Sequence, residues 1–274
     1  MTKTTQTDID RELKSRHATM WARGDYATVA ADLIWSFGPI LVDAAGVNSQ
    51  DRVLDIATGT GNVAIPAALT GATVVASDLT ADLLEAGKVR AAAVGATLQW
   101  NVADAEDLPY EGGEFDVVLS SVGIMFAPHH AAAAAELLRV TRPAGRIGLI
   151  NWTPDGLIGQ MLATMKPYAP APPPGAQPPP LWGNEAHLSA LFGAAATDLR
   201  CEKQTVIVDA FTTPAEFRDY FKANYGPTIT VYGQLDGARA VALDADLEAL
   251  GERNMINGSM EWEYLLVTAT RASR

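Results

Sequence analysis

The chain alternates short, unbroken apolar runs with longer segments whose apolar residues recur at helical spacing. The alternation is most regular between residues 51 and 152. Unbroken apolar strands between helices are typical of a parallel sheet that helices cover on both faces. The predicted strands are 52–57, 72–77, 96–101, 115–121 and 146–152, and the predicted helices are 61–70, 80–93 and 129–141.

The regions on either side of this alternation extend the same architecture. Residues 8–46 carry apolar positions every three to five residues, which predicts an amphipathic helical segment. The later pattern predicts strands at 205–211 and 260–271 and helices at 213–226 and 236–256. We therefore predict a doubly wound α/β fold with a helical cap and a seven-stranded, mostly parallel sheet whose last two strands pair antiparallel. Right-handed crossovers would bring the carboxyl ends of the parallel strands to one edge.

Prolines dominate residues 167–180, PYAPAPPPGAQPPP. Because proline lacks an amide donor and fixes φ, this segment is neither a helix nor a central strand. A polyproline spacer over the surface and a lid over a ligand site both fit its composition. We predict an N-terminal helical cap at 1–46, a sheet domain formed by 47–153 and 198–274, and a Pro-rich insertion or lid at 154–197.

Composition narrows the class of protein. The chain has 274 residues, enough to bury one sheet with helices on both faces. A single cysteine, Cys201, excludes an intrachain disulfide framework, and we expect no metal site. With neither a signal-peptide pattern nor a run of roughly 20 apolar residues, we expect a cytoplasmic protein that does not associate with membranes. The formal net charge of −12 disfavours nucleic acid and favours a small-molecule partner.

A glycine-rich bend follows the first predicted strand, in the stretch VLDIATGTGNV at 53–63. The second strand ends at Asp78, where doubly wound sheets present a carboxylate to a ribose. GTGNVA also fits the dinucleotide fingerprint, so an NAD(P)-dependent oxidoreductase is an alternative, although no Tyr-x-x-x-Lys pair supports it. Asp55, at the end of the first strand, would repel a pyrophosphate but attract a ligand that carries an ammonium group.

The stretch from Arg52 to Trp152 resembles class I S-adenosylmethionine-dependent methyltransferases, nearest to the small-molecule enzymes of ubiquinone and menaquinone biosynthesis. The motifs that carry this resemblance are Asp55 to Gly61, Asp78, DAEDLPY from Asp104, FDVVLSS at 115–121 and LLRVTRPAGR at 137–146. One departure is Ala57, which stands at the first glycine of the pattern D-x-G-x-G-x-G. We expect a negative φ at Ala57, since it is not glycine.

The resemblance implies S-adenosylmethionine as the cofactor and a role for each matching position. The bend with Ala57, Thr58, Gly59 and Gly61 would border the methionine group, and Asp55 would help to fix it. Asp78 and Leu79 would hold the ribose, and Asp104 and Ala105 would meet the adenine. Ser120 and Ser121 would line the sulfonium side, and Tyr26 resembles an aromatic residue that closes over the cofactor. The three acids could instead cap helices or lie in solvated loops.

Methyl transfer is an in-line displacement, so alignment in a dry cavity can supply much of the acceleration. If the acceptor needs a base, His129 and His130 are candidates. Candidate contacts to the substrate are Asn151, Trp152, Trp182 and Tyr225. The sequence does not identify the acceptor, and the methylated atom could be O, N or C. A protein that binds the cofactor without methylating is a further alternative. A homodimer also stays open, because the N-terminal helical segment could cap its own cleft or a neighbour's.

Overall fold

The protein, described by a computed structural model over residues 6–273, is built around one mixed sheet. Its strands are β1 (Arg52–Ile56), β2 (Thr73–Asp78), β3 (Gln99–Val102), β4 (Phe115–Ser121), β5 (Thr141–Trp152), β6 (Ala196–Val208), β7 (Met255–Ile256) and β8 (Ser259–Arg271). Seven strands lie in the order β3-β2-β1-β4-β5-β8-β6, and the two-residue β7 adds an eighth strand beside β8. The predicted doubly wound, mostly parallel fold is confirmed.

Strand direction changes at one place in the sheet. The strands β3, β2, β1, β4 and β5 are parallel, whereas β8 runs antiparallel to both β5 and β6. The strand β6 begins nine residues before the predicted 205–211. It is an edge strand with many exposed polar residues, so its first half carries no apolar run that would mark it as a strand.

The predicted helical segment 8–46 consists of three helices. They are α1 (Gln6–Trp21), α2 (Tyr26–Leu33) and α3 (Phe37–Ala44). Gly24, with a φ of 82°, separates the first two. The Asp25 carboxylate then caps α2 by accepting from the Thr28 amide at 3.0 Å. In α3, Phe37 and Leu41 are fully buried, and this helix packs on β4 and β5.

The other helices pack on the sheet or on one another. They are α4 (Ala64–Leu69), α5 (Ala81–Ala93), α6 (His130–Val140), α7 (Leu157–Met165), α8 (Glu185–Phe192), α9 (Pro214–Asn224), α10 (Gly226–Tyr232) and α11 (Gly237–Asn254). Within residues 6–273, no single helix has the length and apolar character to cross a membrane. The pair α2 and α3 passes that test only when joined across a bend of 69°.

The Pro-rich insertion lies beside the loop that follows β4. The Gln177 amide donates to the Pro128 carbonyl at 2.9 Å, and a short 3-10 helix at Pro179–Gly183 contacts the end of β5. Trp182, in this short helix, is fully buried. The segment is therefore anchored against the carboxyl edge of the sheet, and the domain boundaries stay a prediction.

Candidate functional site

A cleft of about 650 Å³ lies at the carboxyl ends of β1, β2, β3 and β4. The strand ends form its floor, and one face of α1 forms its outer wall. The lining residues are Lys14, His17, Trp21, Tyr26, Ala57, Gly59, Asp78, Leu79, Leu83, Ala103, Asp104, Ala105, Val122, Gly123, Phe126, Ala127 and Pro128.

The bend after β1 carries three residues in the left-handed region. Ala57, Gly59 and Gly61 have φ angles of 53°, 55° and 82°. The prediction of a negative φ at Ala57 is wrong. The Ala57 carbonyl oxygen lies only 2.5 Å from where a Cβ on Gly123 would stand, so the bend packs tightly against the loop after β4. The left-handed conformation of an alanine costs roughly 1–2 kcal/mol, which the surrounding packing must offset.

Asp55 lies beneath the bend and is not among the residues that line the cleft. Its Oδ2 accepts from the Thr58 hydroxyl at 2.5 Å and from the Ala64 amide at 2.9 Å, while Oδ1 has no partner among the described residues. Burial raises the pKa of Asp55 to about 7. Asp55 therefore ties the bend to the start of α4, and its contact with the methionine group stays a prediction.

Asp78 lines the cleft and also shapes it. Its Oδ2 accepts from the Gly59 amide and its Oδ1 from the Thr80 amide, each at 2.8 Å. The side chain is nearly buried, and burial is the main cause that raises its pKa above the ordinary value. Each carboxylate oxygen retains a lone pair, so Asp78 can accept two further hydrogen bonds from a diol in the cleft.

Asp104 lies in an ionic cluster at the end of β3. Its Oδ1 accepts from the Glu106 amide at 3.0 Å and from Lys14 Nζ at 3.1 Å. Lys14 Nζ also lies 2.6 Å from Glu106 Oε2. Burial opposes ionisation of Glu106, but hydrogen bonds from Lys14 and His129 outweigh burial and hold its pKa below the usual range.

An aromatic wall, formed by Trp21, Tyr26 and Phe126, closes the end of the cleft nearest the bend. Trp21 meets Phe126 and Tyr26 edge to face, with ring centroids 4.8 and 5.6 Å apart. The Tyr26 ring comes within 3.3 Å of where a Cβ on Gly59 would stand. Burial, with a smaller effect of Asp78, raises the pKa of Tyr26 well above its ordinary value, so its phenol stays protonated at neutral pH.

Four other predicted cofactor contacts lie outside the lining of the cleft: Thr58, Gly61, Ser120 and Ser121. Thr58 binds Asp55, and Gly61 faces Trp100 and Ile65. The Ser120 hydroxyl donates to the Ile56 carbonyl at 2.7 Å and accepts from the Ile124 amide at 2.9 Å. These residues hold the floor together, and the lining position after β4 belongs to Val122 and Gly123.

Neither predicted histidine lines the cleft. His129 binds Glu106 through its amide at 2.7 Å and through Nδ1 at 2.9 Å. His130 is fully buried, with Nδ1 2.9 Å from Nε2 of His187, and burial lowers its pKa to about 4. The beginning of α6 turns His130 into the protein interior, so the prediction that it acts as a base at this cleft is not supported.

The predicted substrate contacts are also set back from the cleft. Trp152 packs on Phe37 and Trp262, Trp182 packs beside His130, and Asn151 is fully buried. At its end β5 pairs with β8 as far as Trp152, and the 3-10 helix at 179–183 packs against it, which explains this burial. Tyr225 contacts Trp21 from behind the aromatic wall, with centroids 5.7 Å apart.

Sequence reasoning missed the three side chains that α1 contributes to the cleft. Lys14, His17 and Trp21 are spaced by three and four residues, which places them on one helix face. That spacing was the available signal. Burial, followed by the charge of Lys14, lowers the pKa of His17, so its imidazole is neutral at pH 7.

A metal could be considered at Asp10, Glu106 and His129, whose ligand atoms lie within 4.8 Å of one another. The ammonium group of Lys14 already binds Glu106 Oε2 at 2.6 Å. Because two cations repel at such a distance, this ionic cluster favours lysine over a divalent metal ion.

The chain is similar to methyltransferases and to mycobacterial proteins. A sequence model of the family described as "Methyltransferase domain" matches residues 53–145. The uncharacterized protein Rv1403c of Mycobacterium tuberculosis is 47% identical over 273 residues, which cover 99% of this chain and 100% of that protein. A demethylmenaquinone methyltransferase of Beutenbergia cavernae is 34% identical over 154 residues, which cover 54% of this chain and 62% of that enzyme. The solved structure of the YcgJ protein of Bacillus subtilis has a TM-score of 0.57 at 17% identity, covers 85% of this chain and 97% of its own, and shares the fold.

Proposed function

The chain belongs to the class I S-adenosylmethionine-dependent methyltransferases, the family to which these similarities assign it, and we propose that it methylates a small organic molecule with S-adenosylmethionine bound in the cleft. The observation that carries the proposal is Asp78. Its two oxygens are oriented by the Gly59 and Thr80 amides and still face the cleft. A carboxylate held in this way suits the vicinal hydroxyls of a ribose.

The other lining residues fit the rest of an adenosine derivative. Ala103, Asp104 and Ala105 offer an apolar surface with one acceptor beside it, which suits an adenine ring and its amine. At the opposite end, Tyr26 and Gly59 lie against each other where the methionine group would enter. The aromatic wall can stabilise a cationic sulfur through its ring faces.

The bound cofactor would supply an activated methyl group on a cationic sulfur. The aromatic wall would exclude water from that group, and the bend and Asp78 would fix its direction. Tyr26 stays protonated, so it can donate a hydrogen bond but cannot act as a base near neutral pH. We infer that orientation and water exclusion supply most of the acceleration.

Calorimetric titration with S-adenosylhomocysteine tests the proposal. Asp78→Ala removes two charge-assisted hydrogen bonds to the ribose and should raise the Kd about 100-fold, as expected from roughly 1.5 kcal/mol for each bond. Asp209→Ala, at an exposed carboxylate on the loop after β6, is the matched control and should bind like the wild type. Unchanged binding by the Asp78 variant would contradict the proposed site, and thermal unfolding would show whether the variant folds.

The acceptor is tested with methyl-labelled cofactor. The name of the Beutenbergia relative makes demethylmenaquinone the first acceptor to try. Label transferred to a small molecule would support methylation. Tight cofactor binding with no label transferred to any acceptor would favour a protein that binds S-adenosylmethionine without methylating, and NADH binding in the same cleft would favour an oxidoreductase.

A further inference from the structure

The helix α1 covers the cleft but is weakly attached along its own length. Its side chains are described for residues 10–21, and in that range only Leu13 and Lys14 are buried. A segment with so few buried apolar contacts opens at low free-energy cost unless another interaction holds it. Lys14 supplies one such interaction, between α1 and the acidic residues at the end of β3.

Lys14 forms a buried bridge between two carboxylates. Nζ lies 3.1 Å from Asp104 Oδ1 and 2.6 Å from Glu106 Oε2, and the lysine side chain is 10% exposed. His129 orients Glu106 from the other side through its amide and Nδ1. A charge buried to this extent is favourable only while it stays paired, so breaking the bridge is costly.

The other end of α1 is fixed by close backbone packing. A Cβ on Gly226 would stand 2.2 Å from the Met20 carbonyl oxygen, and one on Gly24 would stand 2.4 Å from the Asn224 carbonyl oxygen. The Asp25 amide also donates to the Asn224 carbonyl at 3.1 Å. The carboxyl end of α1 is therefore a fixed point, and the part that can swing is the half that contains Lys14.

We propose that α1 is a hinged cover and that Lys14, through Asp104 and Glu106, is the positioning residue that keeps it closed over a bound adenosine ligand. The inference rests on the proposed function, because the ligand is S-adenosylmethionine or its product. When the bridge breaks, Lys14 and His17 leave the cleft together, since they share one helix face in the half of α1 that can swing. The bridge therefore sets how long the ligand stays.

The test measures the dissociation rate constant of S-adenosylhomocysteine by stopped-flow displacement, followed by tryptophan fluorescence. Lys14→Met should raise this constant up to about 100-fold, in line with the loss of two hydrogen bonds to charged groups. Lys14→Arg should restore a value near that of the wild type. Lys88→Met is the matched control, because Lys88 pairs with Glu85 at 2.6 Å on the exposed face of α5.

Hydrogen exchange in the ligand-free protein gives a readout that does not depend on the cofactor. Residues 10–17, in the half of α1 that can swing, should exchange faster in Lys14→Met than in the wild type, with unchanged exchange in β1 and β4. If Lys14→Met and the wild type have equal dissociation rates and equal exchange in α1, the proposed role of Lys14 is wrong. Faster exchange spread evenly over the whole protein would also overturn it. If Lys14→Met does not fold, Glu106→Gln removes one of the two carboxylate charges that Lys14 binds, at nearly constant volume. If neither the wild type nor any variant binds S-adenosylhomocysteine, the proposed function fails. Hydrogen exchange then still shows whether Lys14 holds α1 closed.

Discussion

Single residues around the bend after β1 combine a left-handed backbone with very little space. Gly61 has a φ of 82°, and a Cβ there would stand 2.8 Å from the Trp100 ring and 3.0 Å from Ile65. Gly95 has a φ of 72°, but no atom of residues 6–273 lies within 4 Å of the corresponding position. The two glycines therefore separate the cost of backbone strain from the cost of a steric clash.

We expect Gly61→Ala to lower the free energy of unfolding by about 2–4 kcal/mol, the sum of left-handed strain and overpacking. Gly95→Ala should lower it by only about 1 kcal/mol, from the strain alone. Urea unfolding of both variants measures the difference. Equal losses would show that the space around Gly61 adapts to a methyl group.

At the scale of elements, the helices beyond the sheet differ in how they are held. In contrast to α1, α9 buries Phe217 and Phe221 and packs against α11. It begins with a capping box, in which the Thr213 hydroxyl accepts from the Glu216 amide at 3.2 Å and the Glu216 carboxylate accepts from the Thr213 amide at 3.3 Å. Both orphan donors at the start of the helix are thus satisfied.

Thr213→Ala should lower the free energy of unfolding by about 1 kcal/mol, the usual effect of losing an N-cap. Thr19→Ala serves as the control, because Thr19 lies inside α1 and its exposed hydroxyl bonds only the Ser15 carbonyl, at 2.9 Å. The control should change stability by less than about 0.5 kcal/mol. Similar losses in both variants, measured by chemical denaturation, would contradict a capping role for Thr213.

At the scale of the whole molecule, two buried groups give stability opposite pH dependences. Asp55 has a folded pKa of about 7, above its unfolded value. Between about pH 4 and 7 the folded state therefore binds more protons, and stability falls as pH rises. His130 has a folded pKa of about 4, below its unfolded value, so its contribution is lost as pH falls below about 6.5. The measured dependence of the free energy of unfolding on pH contains both effects, so a variant is needed to separate them.

Asp55→Asn removes the titration of Asp55 and leaves that of His130. Relative to this variant, the wild type should lose stability as pH rises from 4 to 8, by up to roughly 4 kcal/mol for a pKa difference of about three. Denaturant unfolding of both proteins at several pH values gives the difference directly. A difference that does not change with pH would mean that Asp55 keeps an ordinary pKa in the folded state.

The sequence by itself was sufficient for the parallel part of the sheet and for part of the site. Unbroken apolar strands and the order of the motifs led to the doubly wound fold, because these features depend on local periodicity and chain direction. They also placed Asp78 and Asp104 at strand ends, where the structure has them lining the cleft. Residues at the ends of parallel strands converge whatever the details of packing.

Only the tertiary structure decided which side chains reach the cleft and what covers it. Asp55 and His130 carry the right chemistry at plausible positions, yet each side chain turns into the interior. Lys14 meets Asp104 across 90 residues of chain, a contact that no local pattern encodes. Periodicity determines which residues share a face of one helix, whereas packing between distant elements determines what that face meets.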